Sequence, residues 1–247
     1  MRIGRGHVCV VGIGGVGSWT VEALARSGVG EVTLVDLDDV CLSNVNRQIH
    51  ALDSTVGRFK VDVMAERMRD IHPAIRINAV RKYLTEENAS QLLCDQNFDV
   101  VVDAIDNGRL KCVLLEVCRK QETATVTVGG AGGLRDPARV RRADLAKSHS
   151  DPLLHQVRKR LRQQYDWPRG ERDFGVACVF SEEQPVILSG DAESDPDAGA
   201  VTVRRAINCN TGLGTSAAVT GAFGLAAAAA VLDLLADPET TRTGGSR

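Results

Sequence analysis

None of the seven cysteines, Cys9, Cys41, Cys94, Cys112, Cys118, Cys178 and Cys209, stands in CxxC spacing with another. Their number is odd and most sit inside apolar runs. This argues against a disulfide framework or a zinc knuckle and points to reduced thiols in a cytoplasmic protein. Charge of one sign is also lacking. The formal net charge is −2, which excludes a generally basic surface, so any nucleic-acid contact must come from local clustering. The first apolar run, residues 8–13, is short and leads straight into glycines, which is not the pattern of a secretory leader. Only residues 217–236, AAVTGAFGLAAAAAVLDLLA, approach the length of a membrane span. Their alanine and glycine content and the charge of Asp233 favour a buried helix, and no stable membrane insertion is expected. No internal repeat is visible.

What remains is a 247-residue chain with 43% hydrophobic residues, enough for one large α/β domain or two small ones. From residue 8 to about 133 β-branched runs alternate with helical patterns. Strands are expected at HVCVVGI, EVTLVDLD, IRINAV, FDVVVDAID and TATVTVGG, with helices at SWTVEALARSG, KVDVMAERMRDIHP, EENASQLLCDQ and LKCVLLEVCRKQ between them. Such alternation predicts an α/β, Rossmann-like, doubly wound and mainly parallel sheet with helices on both faces. Residues 134–247 read as a C-terminal appendage that completes the same domain. They hold a basic, helix-leaning stretch over 139–165, a strand at GVACVFS, a flexible loop near 189–200, a strand at VTVRRAIN, a Gly/Ala-rich helix and a polar tail.

The chemistry gathers at three strand ends. Gly12, Gly14 and Gly17, with Gly15 between, form GxGxxG after the first strand, where backbone amides and a helix N-terminus bind phosphate. The glycines alone suit NAD and ATP equally. Asp36 ends the second strand, where a carboxylate can accept hydrogen bonds from ribose hydroxyls, which still leaves both open. The segment that follows separates them. It carries Asn44, Asn46, Arg47 and Gln48, then Lys60, cationic and amide groups for which a dehydrogenase has no standing need. Arg47 and Lys60 can neutralise a triphosphate while Asn44 holds phosphate or ribose oxygen. Asp106, with Asn107 beside it, ends a later strand, where a carboxylate is placed to bind magnesium on the phosphates. Taken alone, Asp106 serves equally well as a helix cap.

GIGGVG, LVDLDDV, SNVNRQ, the glycine-then-lysine of VGRFK and the AIDN strand end resemble the ThiF-type, ubiquitin-activating-enzyme-like adenylating superfamily over residues 8–133. The resemblance implies that a carboxylate attacks the α-phosphate of magnesium ATP, giving an acyl-adenylate and pyrophosphate. It implies ribose binding by Asp36, phosphate binding by Asn44, Arg47 and Lys60, and magnesium binding by Asp106. GIGGVGSW, DDVCLSNVNRQIHAL, VMAERM, TVGGAGGLRDPARV, the ADLAKS and DPL run and GVACVFS are similar to the tRNA-modifying dehydratase branch of that superfamily. The substrate then implied is the threonylcarbamoyl group on the adenosine beside the tRNA anticodon, cyclised with loss of water. The alternative is an adenylyltransferase acting on the tail of a ubiquitin-like or sulfur-carrier protein. A homodimer is a further implication of the family.

Arg135, Arg139, Arg141, Arg142, Lys147, Arg158, Lys159, Arg160, Arg162, Arg169 and Arg172, interspersed with His149, His155, Tyr165 and Trp167, are expected to form one surface stretch. Cations beside stackable rings suit an RNA loop. Cys178 and Cys209 read as buried structural thiols before acyl-thioester carriers. The family carries an arginine-bearing helical arm before its first strand. Here MRIGRGH stands in that place, and the resemblance leaves two readings, that Arg2 and Arg5 substitute or that the start is truncated.

Overall fold

The computed structural model describes residues 3–94, 96–186 and 214–237. Its strands are His7–Val11 (β1), Glu31–Val35 (β2), Arg76–Val80 (β3), Val100–Asp103 (β4), Ala124–Val128 (β5), Val140–Asp144 (β6) and Ala177–Ser181 (β7). Its helices are Gly15–Arg26 (α1), Lys60–Ile71 (α2), Ala89–Cys94 (α3), Gly108–Lys120 (α4), Pro152–Gln164 (α5) and Ala217–Ala236 (α6). One seven-stranded sheet runs in the order β3-β2-β1-β4-β5-β7-β6, with every pairing parallel except β6 against β7. Strands β1, β2, β4, β5 and β7 are buried along nearly their whole length because helices cover both faces, and they read accordingly as unbroken apolar runs. The edges β3 and β6 have no buried residue and carry arginines.

One apolar core holds Val8, Val10, Leu34, Val102, Val126 and Met64 together with Phe223, Ala227 and Val231 of α6. The opposite face packs Cys9, Val11, Val101, Leu114, Leu154 and Trp167. Helix α6 is long and apolar enough to cross a membrane, yet half of its residues are buried. It lies along α1, with Val219, Phe223, Ala227 and Val231 turned inward at four-residue spacing.

Several elements depart from the sequence reading. The strands expected over 7–13 and 98–106 stop at Val11 and Asp103; at the first, Gly12 takes φ 91° and turns the chain out of the sheet. The helix expected across EENASQLLCDQ is only Ala89–Cys94. Within the helix-leaning basic stretch, residues 140–144 form a strand. Pairing from Val140↔Ser181 to Asp144↔Ala177 and the 3.0 Å ion pair between Arg141 and Glu182 outweigh local helical preference. The strand expected at VTVRRAIN, the 189–200 loop, the polar tail, Arg2 and Cys209 lie outside the described residues.

Candidate active site

Strand order reverses between β1 and β4, and in such sheets ligands bind in the crevice beyond the carboxyl ends at that point. Val11 stands opposite Asp103 there, so the glycine loop leaving β1 and the turn leaving β4 face one another. They touch: a Cβ on Gly12 would lie 2.7 Å from the Ala104 carbonyl oxygen, and one on Gly17 only 1.8 Å from that of Gly12. Side chains at these two positions would push the loop open. Gly14 caps α1, and a Cβ there would meet nothing within 4 Å, which leaves open space over the helix N-terminus.

Asp36, one residue beyond β2, is 9% exposed and accepts hydrogen bonds from the amides of Ile13 (2.7 Å) and Asp38 (2.8 Å). Burial pushes its carboxyl above the ordinary value, against the opposing pull of Lys60 and the two amides. The buried His50 grips the same loop from the other side. Its Nε2 donates to the Ile13 carbonyl at 2.8 Å, which leaves Nδ1 an unprotonated acceptor without a partner among the described residues. Burial lowers its pKa to about 4, the Ile13 contact opposing, so the ring is neutral at pH 7. Ile13 is thus clamped at both N–H and C=O.

The segment after β2 forms two short 3-10 turns, Leu42–Asn44 and Asp53–Thr55, and is pinned from within. Asn44 is buried, and its Oδ1 accepts from the Cys41 amide at 3.0 Å. The Arg47 carbonyl accepts from Trp19 Nε1 on α1 and Thr220 Oγ1 on α6. Its guanidinium donates to the Ser43 carbonyl and Asn46 Oδ1, and its Cγ stands 3.8 Å from where a Gly15 Cβ would be. Lys60, the first residue of α2, is 6% exposed and donates to Asp38 Oδ2 at 2.7 Å. Burial pushes the Asp38 carboxyl up, but hydrogen bonds from Lys60 and from Tyr83 outweigh it and hold it below its ordinary value.

Of the two tasks that sequence left open for Asp106, the helix cap falls to its neighbour. Asn107 is the helix cap: its Oδ1 accepts from the amides of Arg109 and Leu110 at the start of α4. Asp106 is exposed and makes no hydrogen bond or ion pair with any described residue. An exposed carboxylate on the turn whose Ala104 touches the glycine loop, together with Arg47 next to Gly15, is a donor set that fits a magnesium-bearing triphosphate.

Sequence reasoning missed four participants. Asp38 was legible as the second acid of LVDLDD, and His50 follows the polar fingers directly. Asp151 caps α5 and also accepts from the Gly130 amide at 2.8 Å, so that helix starts beside the loop leaving β5. Lys111, fully buried on the first turn of α4, pairs with the fully buried Asp103 at 2.9 Å. A lysine among Cys112, Leu114 and Leu115 was the only signal for it.

The basic stretch does not form one surface. Arg141, Arg142 and Lys147 are tied to Glu182, Asp233 and Asp173. Trp167 is 1% exposed, donates to Glu116 at 2.7 Å and packs edge-on against Phe174, so it is a core residue and offers no face to a base. The cations that gather are those of α5 and the following loop. His155, Arg158, Lys159, Arg162, Gln163 and Arg169 line a cavity of about 750 Å³. Cys178 is buried, and burial pushes its thiol far up, which suits an inert core residue.

A family model described as "ThiF family" matches residues 1–245. The chain is 42% identical over 235 residues to the tRNA threonylcarbamoyladenosine dehydratase of Haemophilus influenzae, covering 95% of this chain and 87% of that one. It is 43% identical over 222 residues to the enzyme of the same name from Escherichia coli, covering 90% and 82%. The crystal structure of E. coli tRNA N6-threonylcarbamoyladenosine dehydratase in complex with ATP superposes with a TM-score of 0.82 at 40% identity, covering 98% and 89% of the two chains.

Proposed function

The chain belongs to the ThiF family, and we propose that it is the ATP-dependent enzyme that dehydrates N6-threonylcarbamoyladenosine in tRNA. The observation that carries this reading is the 40% identity, over 98% of the chain, to a dehydratase solved with ATP. The fold puts an open glycine loop and a bare carboxylate at the switch point of the sheet.

A carboxylate is a poor electrophile until its oxygen becomes part of a good leaving group. In the proposed reaction a carboxylate oxygen of the threonylcarbamoyl group attacks the α-phosphorus of ATP, the bond to the β-phosphate breaks, and pyrophosphate departs. The ureido nitrogen then attacks the activated carbonyl. The ring closes, that nitrogen gives up its proton, and AMP leaves with the original oxygen, so the RNA loses one water overall. Both reacting groups sit on one nucleoside, so the second step gains from proximity. Asp36 holds the ribose. Arg47 and Lys60, with Asn44, face the phosphates and stabilise charge that grows as the new bond forms. Asp106 holds the magnesium ion, which neutralises phosphate charge. Asn107 supports that carboxylate by capping the helix that follows.

Residues 1–133 act as the ATP-binding region and 134–247 as its completion, with tRNA held along α5. That helix starts beside the crevice, where Asp151 meets Gly130, and its 13 residues carry cations about 20 Å away from it. A homodimer is supported by apolar surface left open at Leu42, Val45, Leu52 and, on α6, Leu225, which is 55% exposed. Unpaired cysteines among the described residues suit the cytoplasm.

The decisive experiment is mass analysis of nucleosides from tRNA bearing threonylcarbamoyladenosine after incubation with the protein, ATP and magnesium. Loss of one water from that nucleoside is expected. ATP–pyrophosphate exchange that instead requires a small protein ending in Gly-Gly would replace this reading with the protein-tail adenylyltransferase.

A further inference from the structure

Beneath the turn that carries Asp106 lies a polar knot that the proposed chemistry does not use. Asp103, Lys111 and Thr127 are all 0% exposed. Lys111 Nζ donates to Asp103 Oδ2 at 2.9 Å, to the Asp103 carbonyl at 3.3 Å and to Thr127 Oγ1 at 3.3 Å, which uses all three of its protons. Thr127 Oγ1 in turn donates to Asp103 Oδ2 at 2.7 Å, and the second carboxylate oxygen accepts from the Ile105 amide at 3.2 Å.

Stability alone does not call for this arrangement. Desolvating two charges offsets most of their attraction, and apolar residues of similar volume often serve a core as well or better. Position is what the knot supplies. It joins the last residue of β4, its register partner on β5 and the first turn of α4, and so fixes both ends of the four-residue turn between them. The Ala104 amide donates to the Val11 carbonyl at 2.9 Å, and the Asn107 cap closes the far side. The free carboxylate of Asp106 is the one side chain on this turn left facing outward without a partner.

We propose that Lys111 is a positioning residue which, through Asp103 and the Ile105 amide, holds the 104–107 turn so that Asp106 meets the metal-bearing phosphates in the crevice. The inference rests on the assignment of Asp106 made above.

The test compares ATP binding with magnesium and with chelator, by calorimetry on the full chain, in Lys111→Met and Lys111→Met/Asp103→Asn. The gain in affinity that magnesium confers should shrink by about tenfold, the lower range for disturbing a ligand's support. Metal-free ATP binding should stay within about threefold. Lys111→Met strands a buried carboxylate, so if it does not fold, the double variant, which leaves no unpaired charge, decides. A folded variant that keeps the wild-type magnesium gain overturns the proposal, and so does failure of both variants to fold, which would assign the pair to stability. Asp106→Ala is measured alongside. If it keeps the gain, the Asp106 assignment has failed. If it loses the gain while Lys111→Met keeps it, only the Lys111 inference falls.

Discussion

Polar side chains in the β1–β4 crevice are almost all engaged inside the protein, whereas α5 and the loop after it hold Arg158 and Arg162 by hydrogen bonds but leave other cations facing outward. Asp36, Asn44, Lys60 and Asn107 each have a protein partner, and several are buried. Lys159 and Arg169 have none among the described residues. The difference separates two ways of binding. A crevice whose donors are already held needs little rearrangement when charge develops on a phosphate, so its groups act as a unit. A row of exposed cations contributes affinity piecemeal, through release of counterions.

The largest expected effect follows from the exception in the first region. Asp106→Ala should leave stability within about 0.5 kcal/mol, since an exposed, unpartnered side chain is removed. AMP formation with modified tRNA should fall by roughly 100-fold or more, as when one group of a preorganised electrostatic site is deleted. Arg47→Ala should be similarly severe in turnover. Unchanged turnover in either variant would mean that the crevice is not the phosphate site and would erase the contrast between the regions.

What was legible in the sequence sorts along the same line. The parallel core was readable because strands buried on both faces are continuous apolar runs, and the glycines, Asp36, Lys60 and Asp106 were readable because each stands at a strand or helix end. Pairings were not. That Lys60 meets Asp38, that Asn107 rather than Asp106 caps α4, and that Lys111 lies under the carboxyl ends of β4 and β5 all depend on tertiary contact between segments. Strand β6 was hidden because its two arginines, natural on an exposed edge, break the apolar run that marks a strand. Trp167 looked like a base-stacking ring until its neighbours, Glu116 and Phe174, were known.

An intermediate effect belongs to the second region. In Lys159→Ala/Arg169→Ala, tRNA affinity at low salt should fall by about tenfold. The slope of log affinity against log salt should drop by about 1.5, as expected when two phosphate contacts of slope roughly 0.7–0.9 each are lost. ATP affinity, measured separately, should stay within about twofold. A variant that loses ATP binding while retaining tRNA and its salt slope would move the RNA surface elsewhere.

A last effect, read in stability rather than in turnover or affinity, tests how the glycine loop is held in place. His50 in the folded protein has a pKa of about 4 against an ordinary 6.5. The unfolded chain therefore takes up the proton first, and stability from this group is complete above about pH 6.5 and is lost as pH falls towards 4. The full span is on the order of 3 kcal/mol. Asp36 works in the opposite sense: its carboxyl is raised, so its contribution is fullest below the ordinary aspartate value and declines as pH rises. His50→Gln keeps an N–H for the Ile13 carbonyl but cannot titrate. Urea unfolding at pH 7 and pH 4.5 should show wild type losing distinctly more stability on acidification than the variant. Equal losses would mean that His50 protonates freely in the folded state, and the clamp on Ile13 would then be no part of what keeps the glycine loop in place.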